Sequence, residues 1–319
     1  KCPYCDFNTY EGIEMLMAPY VDALCKEITL WGNIVGHPNV GTVFFGGGTP
    51  SFIGTNQINQ IMERVTDSFQ LTNSTEITLE INPDDATCAK LEAFLECGIN
   101  RLSFGVQSFD DGILKQIGRR HSAKDAVAAY NMAKVTGFEN INLDLMYGLP
   151  NQTSVDWADT LNDAVSLQPD HISAYCLTLE DGTPMEKQVR QGHMSTPDPD
   201  LAAEMYLETI RILKKHRYVH YEISNWSQKD KHSIHNLKYW GNETYLGVGP
   251  KAHSYMDCYR FHQVASPKKY IQKVHEWEEK TFEPSQNIDS KILSSIPVIE
   301  SFEYIDKKLE MFIRIMTMN

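Results

Sequence analysis

The sequence predicts an α/β fold: a parallel sheet whose strands are joined by helical crossovers in the manner of a β/α barrel, followed by a C-terminal α+β extension. Three observations predict it. Short apolar stretches alternate with helical patterns from Thr42 to Tyr175. Polar and Gly/Pro punctuation recurs at one place, the C-terminal end of successive strands, where a β/α barrel binds its ligands. After Leu179 the alternation stops.

Leu16, Tyr20, Leu24, Ile28 and Trp31 recur at three- or four-residue steps, so a helix with one apolar face runs from Met15 to about Val35, and Gly36-His37-Pro38 ends it. Strand Thr42–Phe45 leads into a glycine loop, then a helix from Thr55, a plausible N-cap, to Phe69. Strand Glu76–Ile81, helix Thr87–Cys97 and strand Arg101–Phe104 follow. The unit repeats with helices Asp110–Ile117 and Ser122–Thr136, strand Ile141–Leu145, helix Thr153–Leu167 and strand His171–Tyr175. Glu180 to Pro184 reads as a turn, 191–199 as a polar connection, Pro199–Lys215 as a helix and Tyr218–Ile223 as a strand. Residues 224–255 are irregular and dense in His and aromatics. A helix is expected over Ser266–Lys280, a polar connection over Glu283–Pro297 and an amphipathic helix over Ser301–Met316. The expected domains are 1–179, the barrel, and 180–319, an extension packed on it.

With 319 residues, 42% of them hydrophobic, the chain can bury a substantial core. A formal net charge of −13 and a pI near 5.3 argue against a broad nucleic-acid surface, which needs clustered Lys and Arg. The basic group Arg119-Arg120-His121 reads on composition as a solvated helix end. No apolar run is long enough to span a bilayer. Seven cysteines, odd in number and irregularly spaced, do not form a disulfide framework and fit a reducing cytoplasm.

The chemistry concentrates in Lys1-Cys2-Pro3-Tyr4-Cys5-Asp6-Phe7. Two cysteines three apart permit a redox dithiol, half of a zinc site, part of an iron–sulfur cluster, or a purely structural pair. Cys25, Cys88, Cys97, Cys176 and Cys258 are scattered singly and read as small buried hydrophobes. Gly46-Gly47-Gly48-Thr49-Pro50 closes the first strand, where bare backbone lets a ligand approach free N–H groups. Glu80 and Asp144 sit within apolar strand patterns, and a buried carboxylate is costly without a partner.

Together these motifs resemble the radical S-adenosylmethionine (SAM) superfamily. Cys2-Pro3-Tyr4-Cys5-Asp6-Phe7, Gly46 to Ser51, Gly105-Val106-Gln107-Ser108-Phe109 and Tyr147 to Thr153 resemble its coproporphyrinogen III oxidase-like group over residues 1 to about 255. The resemblance implies a partial, TIM-like β/α barrel of six strands. It implies a [4Fe-4S] cluster held by Cys2, Cys5 and a third cysteine upstream of Lys1, so that the chain reads as truncated at its start; the ending at Met318-Asn319, just past an apolar face, separately suggests a stop before the natural end of the domain. SAM would bind the remaining iron, with Tyr4 and Phe7 beside it and Gly47, Gly48 and Thr49 on its methionine part. Glu80 and Gln107 would contact the methionine part or ribose, Arg119 the carboxylate and Asp144 the ribose hydroxyls. Electron transfer from the cluster would break a carbon–sulfur bond and give a 5′-deoxyadenosyl radical.

Two activities occur in that group. One is oxidative decarboxylation of coproporphyrinogen III; the other is haem delivery by a chaperone. The resemblance favours the chaperone, because Asp6-Phe7 stand where the oxidase has Gly-Cys, and because His235-Asn236-Leu237-Lys238-Tyr239-Trp240 matches the chaperone's H-N-x-x-Y-W motif. His235 could ligate haem iron, while Asn236, Tyr239 and Trp240 would line the porphyrin. Alternatively the motif is a packed strand end. His216, His220, His232 and His253 are further axial-ligand candidates. The implied partners are haem-accepting proteins such as respiratory enzymes, with peripheral membrane contact and a homodimer; no nucleic acid is implied. A metal-free barrel is the remaining alternative.

Overall fold

The computed structural model describes residues 1–277 and 287–305. The strands are β1 (Thr42–Phe45), β2 (Glu76–Ile81), β3 (Arg101–Gln107), β4 (Ile141–Tyr147), β5 (His171–Cys176), β6 (Val219–Glu222), β7 (Asn225–Ser227), β8 (His253–Met256), β9 (Tyr259–Gln263) and β10 (Ile299–Tyr304). The chain divides into two compact units that interleave along the sequence: 1–9, 44–52 and 77–233 form the first, and 10–43, 53–76 and 234–319 the second.

The first unit is built on a curled half-barrel sheet of order β1-β2-β3-β4-β5-β7-β6. Strands β2 to β5 are parallel, and β7 and β6 join antiparallel, with Ile172 opposite Trp226. Because alternate residues face opposite sides, the sequence divides cleanly. Leu79, Leu102, Phe104, Leu143, Leu145, Ile172 and Ala174 lie on one face and are buried. Thr78 and Glu80, Arg101 and Ser103, Asn142 and Asp144, and His171 and Ser173 are cross-strand partners on the other. One face is thus hydrocarbon and the other polar, which is why charged residues sit inside apolar-looking strands.

Crossover helices follow the sequence closely. Ser122 caps Ala123–Thr136 and Thr153 caps Ser154–Ser166, each through a capping box with the aspartate three residues on. Trp157 is fully buried and donates from Nε1 to Thr209 Oγ1 of helix Pro199–Lys215 at 2.9 Å. Residues 180–233, assigned by sequence to the extension, belong to this first unit, because β7 bonds to β5 along the same sheet edge. A helix at Pro184–Arg190 follows the expected turn at 180–184, with Thr183 as its cap.

In the second unit, helices Met17–Val35 and Thr55–Ser68 pack together with the three-stranded sheet β10-β9-β8 and helix Pro267–Glu276. Gly32 allows the close approach of the two long helices, since a Cβ there would lie 2.8 Å from Ser68 Cβ. Trp31 centres the core, stacked on Phe261 (5.5 Å) and edge-on to Trp277 (5.9 Å).

Several sequence expectations are corrected here. Gly54, not Thr55, is the N-cap of the second helix: its N–H is taken by Gln57 Oε1, and Thr55 is already helical. The irregular region 224–255 contains β7, helix Ile234–Trp240 and most of β8, which pairs in a hairpin with β9 just beyond it. Helix Ser290–Ser295 lies in the expected polar connection. Residues 299–304 form a strand on β9 rather than the start of a helix, because every pairing from Ile299 to Tyr304 continues an existing sheet edge; the rest of the expected helix, 306–316, lies outside the described residues. Of the scattered cysteines only Cys25 is buried; Cys88 and Cys176 are exposed, Cys97 and Cys258 intermediate. Cys88 opens a helix and Cys97 caps its end, so neither faces a core. No helix among the described residues is long and apolar enough to cross a membrane.

Candidate functional site

The loop Cys2–Cys5 is a tight turn, closed by Cys5 N–H on Cys2 O at 3.1 Å. Two neighbours fix it. Met185 N–H donates to Pro3 O at 3.0 Å, and Gly118, at φ +72°, comes so close that a Cβ on it would sit 2.6 Å from Pro3 Cδ. Burial raises the Tyr4 phenol and the Cys5 thiol above their ordinary pKa values. Phe7 is exposed. Among the described residues no three His, Cys, Asp or Glu side chains converge as a metal ligand set; Cys2 and Cys5 supply two thiols.

Arg119 follows Gly118 directly and reaches back over this loop. Its Nη1 lies 3.6 Å from Cys2 Sγ, and its Nη2 donates to Asn82 Oδ1 (2.7 Å) and Gly105 O (2.5 Å). Its Nε is buried and has no hydrogen-bond partner. The other two basic residues are spent locally: Arg120 pairs with Asp84 at 2.7 Å, and His121 Nε2 meets Val106 O at 3.1 Å. Gly105 keeps the pocket open, since a Cβ there would lie 3.3 Å from both Arg119 Nη2 and Gln107 Nε2. Gln107 ends β3 at φ +70°, a strained left-handed conformation for a non-glycine residue, where the β3–β4 register slips.

The glycine loop completes the rim. Gly47, at φ +108°, donates its N–H to Glu80 Oε2 at 3.2 Å, and Gly48 lies beside Thr9. Past Thr49 the loop is anchored by buried Ser51, which donates to Asp85 Oδ2 at 2.8 Å while its carbonyl accepts from Lys90. Burial, with the Asp144 carboxylate nearby, pushes the Glu80 carboxyl up to about 8, against the pull of the Gly47 N–H and the Arg101 charge. Asp144 is likewise raised by burial and held down by hydrogen bonds from Ser103 and Asn142 and by Arg101.

These residues fit a SAM-bound cluster. Two cysteines lie within one turn, a buried guanidinium Nε has a donor to give to a carboxylate, and the Glu80 carboxyl beside the glycine loop offers oxygens that could accept from an ammonium. Glu80 also makes a prediction independent of any ligand. A carboxyl raised above its unfolded value binds a proton on folding, so its stabilising contribution is complete below about pH 4.5 and is lost progressively up to about pH 8. Glu80→Gln mimics the protonated form. The melting-temperature difference between Glu80→Gln and wild type should therefore grow in the variant's favour from pH 5 to pH 8 and then level off; a constant difference would refute the shift.

The second unit carries the aromatic motif. Helix Ile234–Trp240 has no buried residue, and Ile234, Leu237 and Tyr239 are exposed. Both Glu76 oxygens accept backbone N–H groups at its start, from His235 (2.9 Å) and Ile234 (3.1 Å). His235 Nδ1 meets Thr42 Oγ1 at 2.9 Å, its Nε2 meets Tyr239 OH at 3.0 Å, and Tyr239 stands edge-on to Tyr245. Asn236 and Trp240 are half-buried on the same helix. Thr42 and Glu76 were not picked out by sequence; no local pattern marks them, since they are far in sequence from the helix they serve.

Three of the spare histidines have ring partners: His232 stacks on Tyr221 and bonds Ser227, His220 stacks on Trp226, and His253 lies beside His262. His216 ends helix Pro199–Lys215 as its C-cap.

The radical SAM superfamily profile matches residues 1–164. Over 276 residues the chain is 38% identical to the haem chaperone HemW of Bacillus subtilis, covering 86% of this chain and 73% of that protein. It is 41% identical to mouse mitochondrial radical S-adenosyl methionine domain-containing protein 1, covering 79% of this chain and 57% of that one. Among solved structures, the coproporphyrinogen III oxidase HemN of Escherichia coli superimposes with a TM-score of 0.76 at 26% identity, over 86% of this chain and 66% of that chain.

Proposed function

The chain belongs to the radical SAM superfamily, in its HemW-like group, and from that premise we propose that it is a haem chaperone, binding haem at the Ile234–Trp240 helix and handing it to acceptor proteins. The observation that carries this reading is the helix itself: Ile234, Leu237, Tyr239 and Trp240 are apolar or aromatic, yet none is buried. A porphyrin is a flat apolar partner for such a face, and His235 is an imidazole placed on it. Thr42 lies on a strand and meets Nδ1, so ligation through Nε2 would exchange the Tyr239 hydroxyl for iron.

The superfamily implies a [4Fe-4S] cluster and SAM as resident cofactors. When bound, they supply one-electron reduction of a sulfonium carbon–sulfur bond. Cys2 and Cys5 would hold irons of the cluster, with a third cysteine upstream of Lys1. Tyr4 and Phe7 flank that loop. Gly47, Gly48 and Thr49 would meet the amino and carboxylate groups of the methionine part, Glu80 and Gln107 the methionine part or ribose, Arg119 the carboxylate through Nε, and Asp144 the ribose hydroxyls. The acceptors are haem-binding proteins, respiratory enzymes among them, met in the cytoplasm with peripheral membrane contact, and the carrier is a homodimer.

The test is an anaerobic haem titration of the full-length, cluster-loaded protein, comparing wild type with His235→Ala. Wild type should bind saturably, and the substitution should weaken binding about tenfold or more, the equivalent of ~1.4 kcal/mol. Absence of saturable binding by wild type sinks the chaperone reading, and carbon dioxide release from coproporphyrinogen III would then favour the oxidase. Binding unchanged in His235→Ala would move the iron ligand elsewhere.

A further inference from the structure

A chain of hydrogen-bonded side chains runs from Asp144 across the polar face of the half-barrel sheet to Tyr221. Asp144 Oδ1 accepts from Asn142 Nδ2 at 2.8 Å, and Oδ2 accepts from Ser103 Oγ at 2.9 Å, which itself accepts from Asn142 Nδ2 at 2.7 Å. On the far side Asn142 Oδ1 meets His171 Nδ1 at 2.6 Å and accepts from Ser173 Oγ at 3.2 Å. His171 Nε2 meets Tyr221 OH at 2.7 Å, and the Tyr221 oxygen accepts from Ser233 N–H. Asn142, His171, Ser103 and Ser173 are all buried.

The orientation of each member follows from one end. An ionised Asp144 is acceptor-only, so Asn142 must turn its amide nitrogen to it and its carbonyl oxygen to His171. That carbonyl needs a donor, so His171 carries its proton on Nδ1 and presents a lone pair at Nε2 to the Tyr221 hydroxyl. Burial, with Arg101 and His232 nearby, keeps the imidazole neutral. Reversing the tautomer would set a lone pair against the Asn142 carbonyl; rotating the amide to relieve that would aim its oxygen at the Asp144 carboxylate.

We infer that Asn142, His171 and Tyr221 are positioning residues, which fix the Asp144 carboxylate in the orientation that accepts the ribose hydroxyls of SAM. This rests on the reading of Asp144 as a ribose ligand. The bland alternative is a satisfied polar core that contributes stability alone.

Two substitutions at His171 separate these. An asparagine amide stands roughly where Nδ1 does and keeps the donor to Asn142; a glutamine amide reaches where Nε2 does and keeps the Tyr221 contact. SAM affinity of the full-length, cluster-loaded protein, measured by anaerobic calorimetry beside melting temperature, should fall about tenfold in His171→Gln and stay within about twofold in His171→Asn, although both lose one buried hydrogen bond and comparable stability. Equal losses of affinity in the two variants, or none in either, overturn the inference. Asp144→Asn is the control: unchanged SAM binding there would remove the ribose reading, and the inference with it. Should the His171 variants fail to fold, Tyr221→Phe deletes only the distal hydroxyl and should weaken SAM about threefold; unchanged affinity would overturn the inference.

Discussion

Gly118→Ala is expected to strip the protein of most of its iron while leaving the fold in place. Gly118 follows the short helix Asp111–Gln116 in a left-handed conformation at φ +72°. An alanine there costs ~1–2 kcal/mol in backbone strain alone. The new methyl would also lie 2.6 Å from Pro3 Cδ and 3.0 Å from Pro3 Cγ, so either the Cys2–Cys5 turn or the Gly118 turn has to move. Met185 N–H holds the first at Pro3 O, and the second leads directly into Arg119, whose guanidinium lies against Cys2 Sγ. Movement of either displaces thiols that must meet iron within a few tenths of an ångström. Iron per chain after anaerobic reconstitution should fall below half of wild type, with a melting temperature lower by only a few degrees. Gly182→Ala is the matched control: it sits at φ +83° with nothing near its Cβ, so it shares the backbone strain without the clash and should retain its iron. Full iron loading of Gly118→Ala would contradict the close approach.

Glu27→Leu should lower the unfolding free energy by several kcal/mol, about 1–3 for each buried donor it leaves unsatisfied. Glu27 is completely buried in the helix Met17–Val35. Its Oε2 accepts from Gly249 N–H (2.8 Å) and Tyr270 OH (2.5 Å), and its Oε1 accepts from Trp31 Nε1 (3.3 Å) and Gln263 Nε2 (3.2 Å). Burial pushes its pKa up, and these four donors pull it back. Leucine fills the volume but takes the acceptor from Gly249 N–H, Tyr270 OH and Trp31 Nε1 and one of two acceptors from Gln263 Nε2, in a core that includes three large aromatic rings. Glutamine is no remedy, because each oxygen is doubly bonded and one would become an NH2 group facing two donors; Glu27→Gln should therefore cost an intermediate ~1–3 kcal/mol. Urea unfolding followed by tryptophan fluorescence checks both, with the slope m unchanged. A Glu27→Leu midpoint equal to wild type would mean that the carboxylate contributes nothing net.

The half-barrel was legible from sequence because its signals are local. Strand and helix periods alternate within a window of a few turns, and Ser122, Thr153 and Asp198 mark helix starts by bonding residues two or three positions on. The hairpin β8–β9 was missed because its turn is Asp257-Cys258, both left-handed, where a glycine would have announced it. Strand β10 was missed because Ser301 to Tyr304 shows an apolar spacing compatible with either period, and the free edge of β9 decided between them.

For the candidate sites, the residue types were readable and the partners were not. The cysteine pair, the glycine loop, Glu80, Gln107, Asp144 and the His235 motif stand out in the sequence, because chemistry restricts which side chains can serve. The sequence by itself determined the alternation of elements, the polar face of the sheet and which side chains are candidates for the sites. Only the tertiary structure decided that Arg119 turns onto Cys2, that Thr42 and Glu76 hold the His235 helix, and that Asn142 and His171 orient Asp144. The physical reason is range: periodicity and capping act over a few residues, whereas a hydrogen bond inside a core joins groups that chain folding alone brings together, and neither partner carries a local mark of the other.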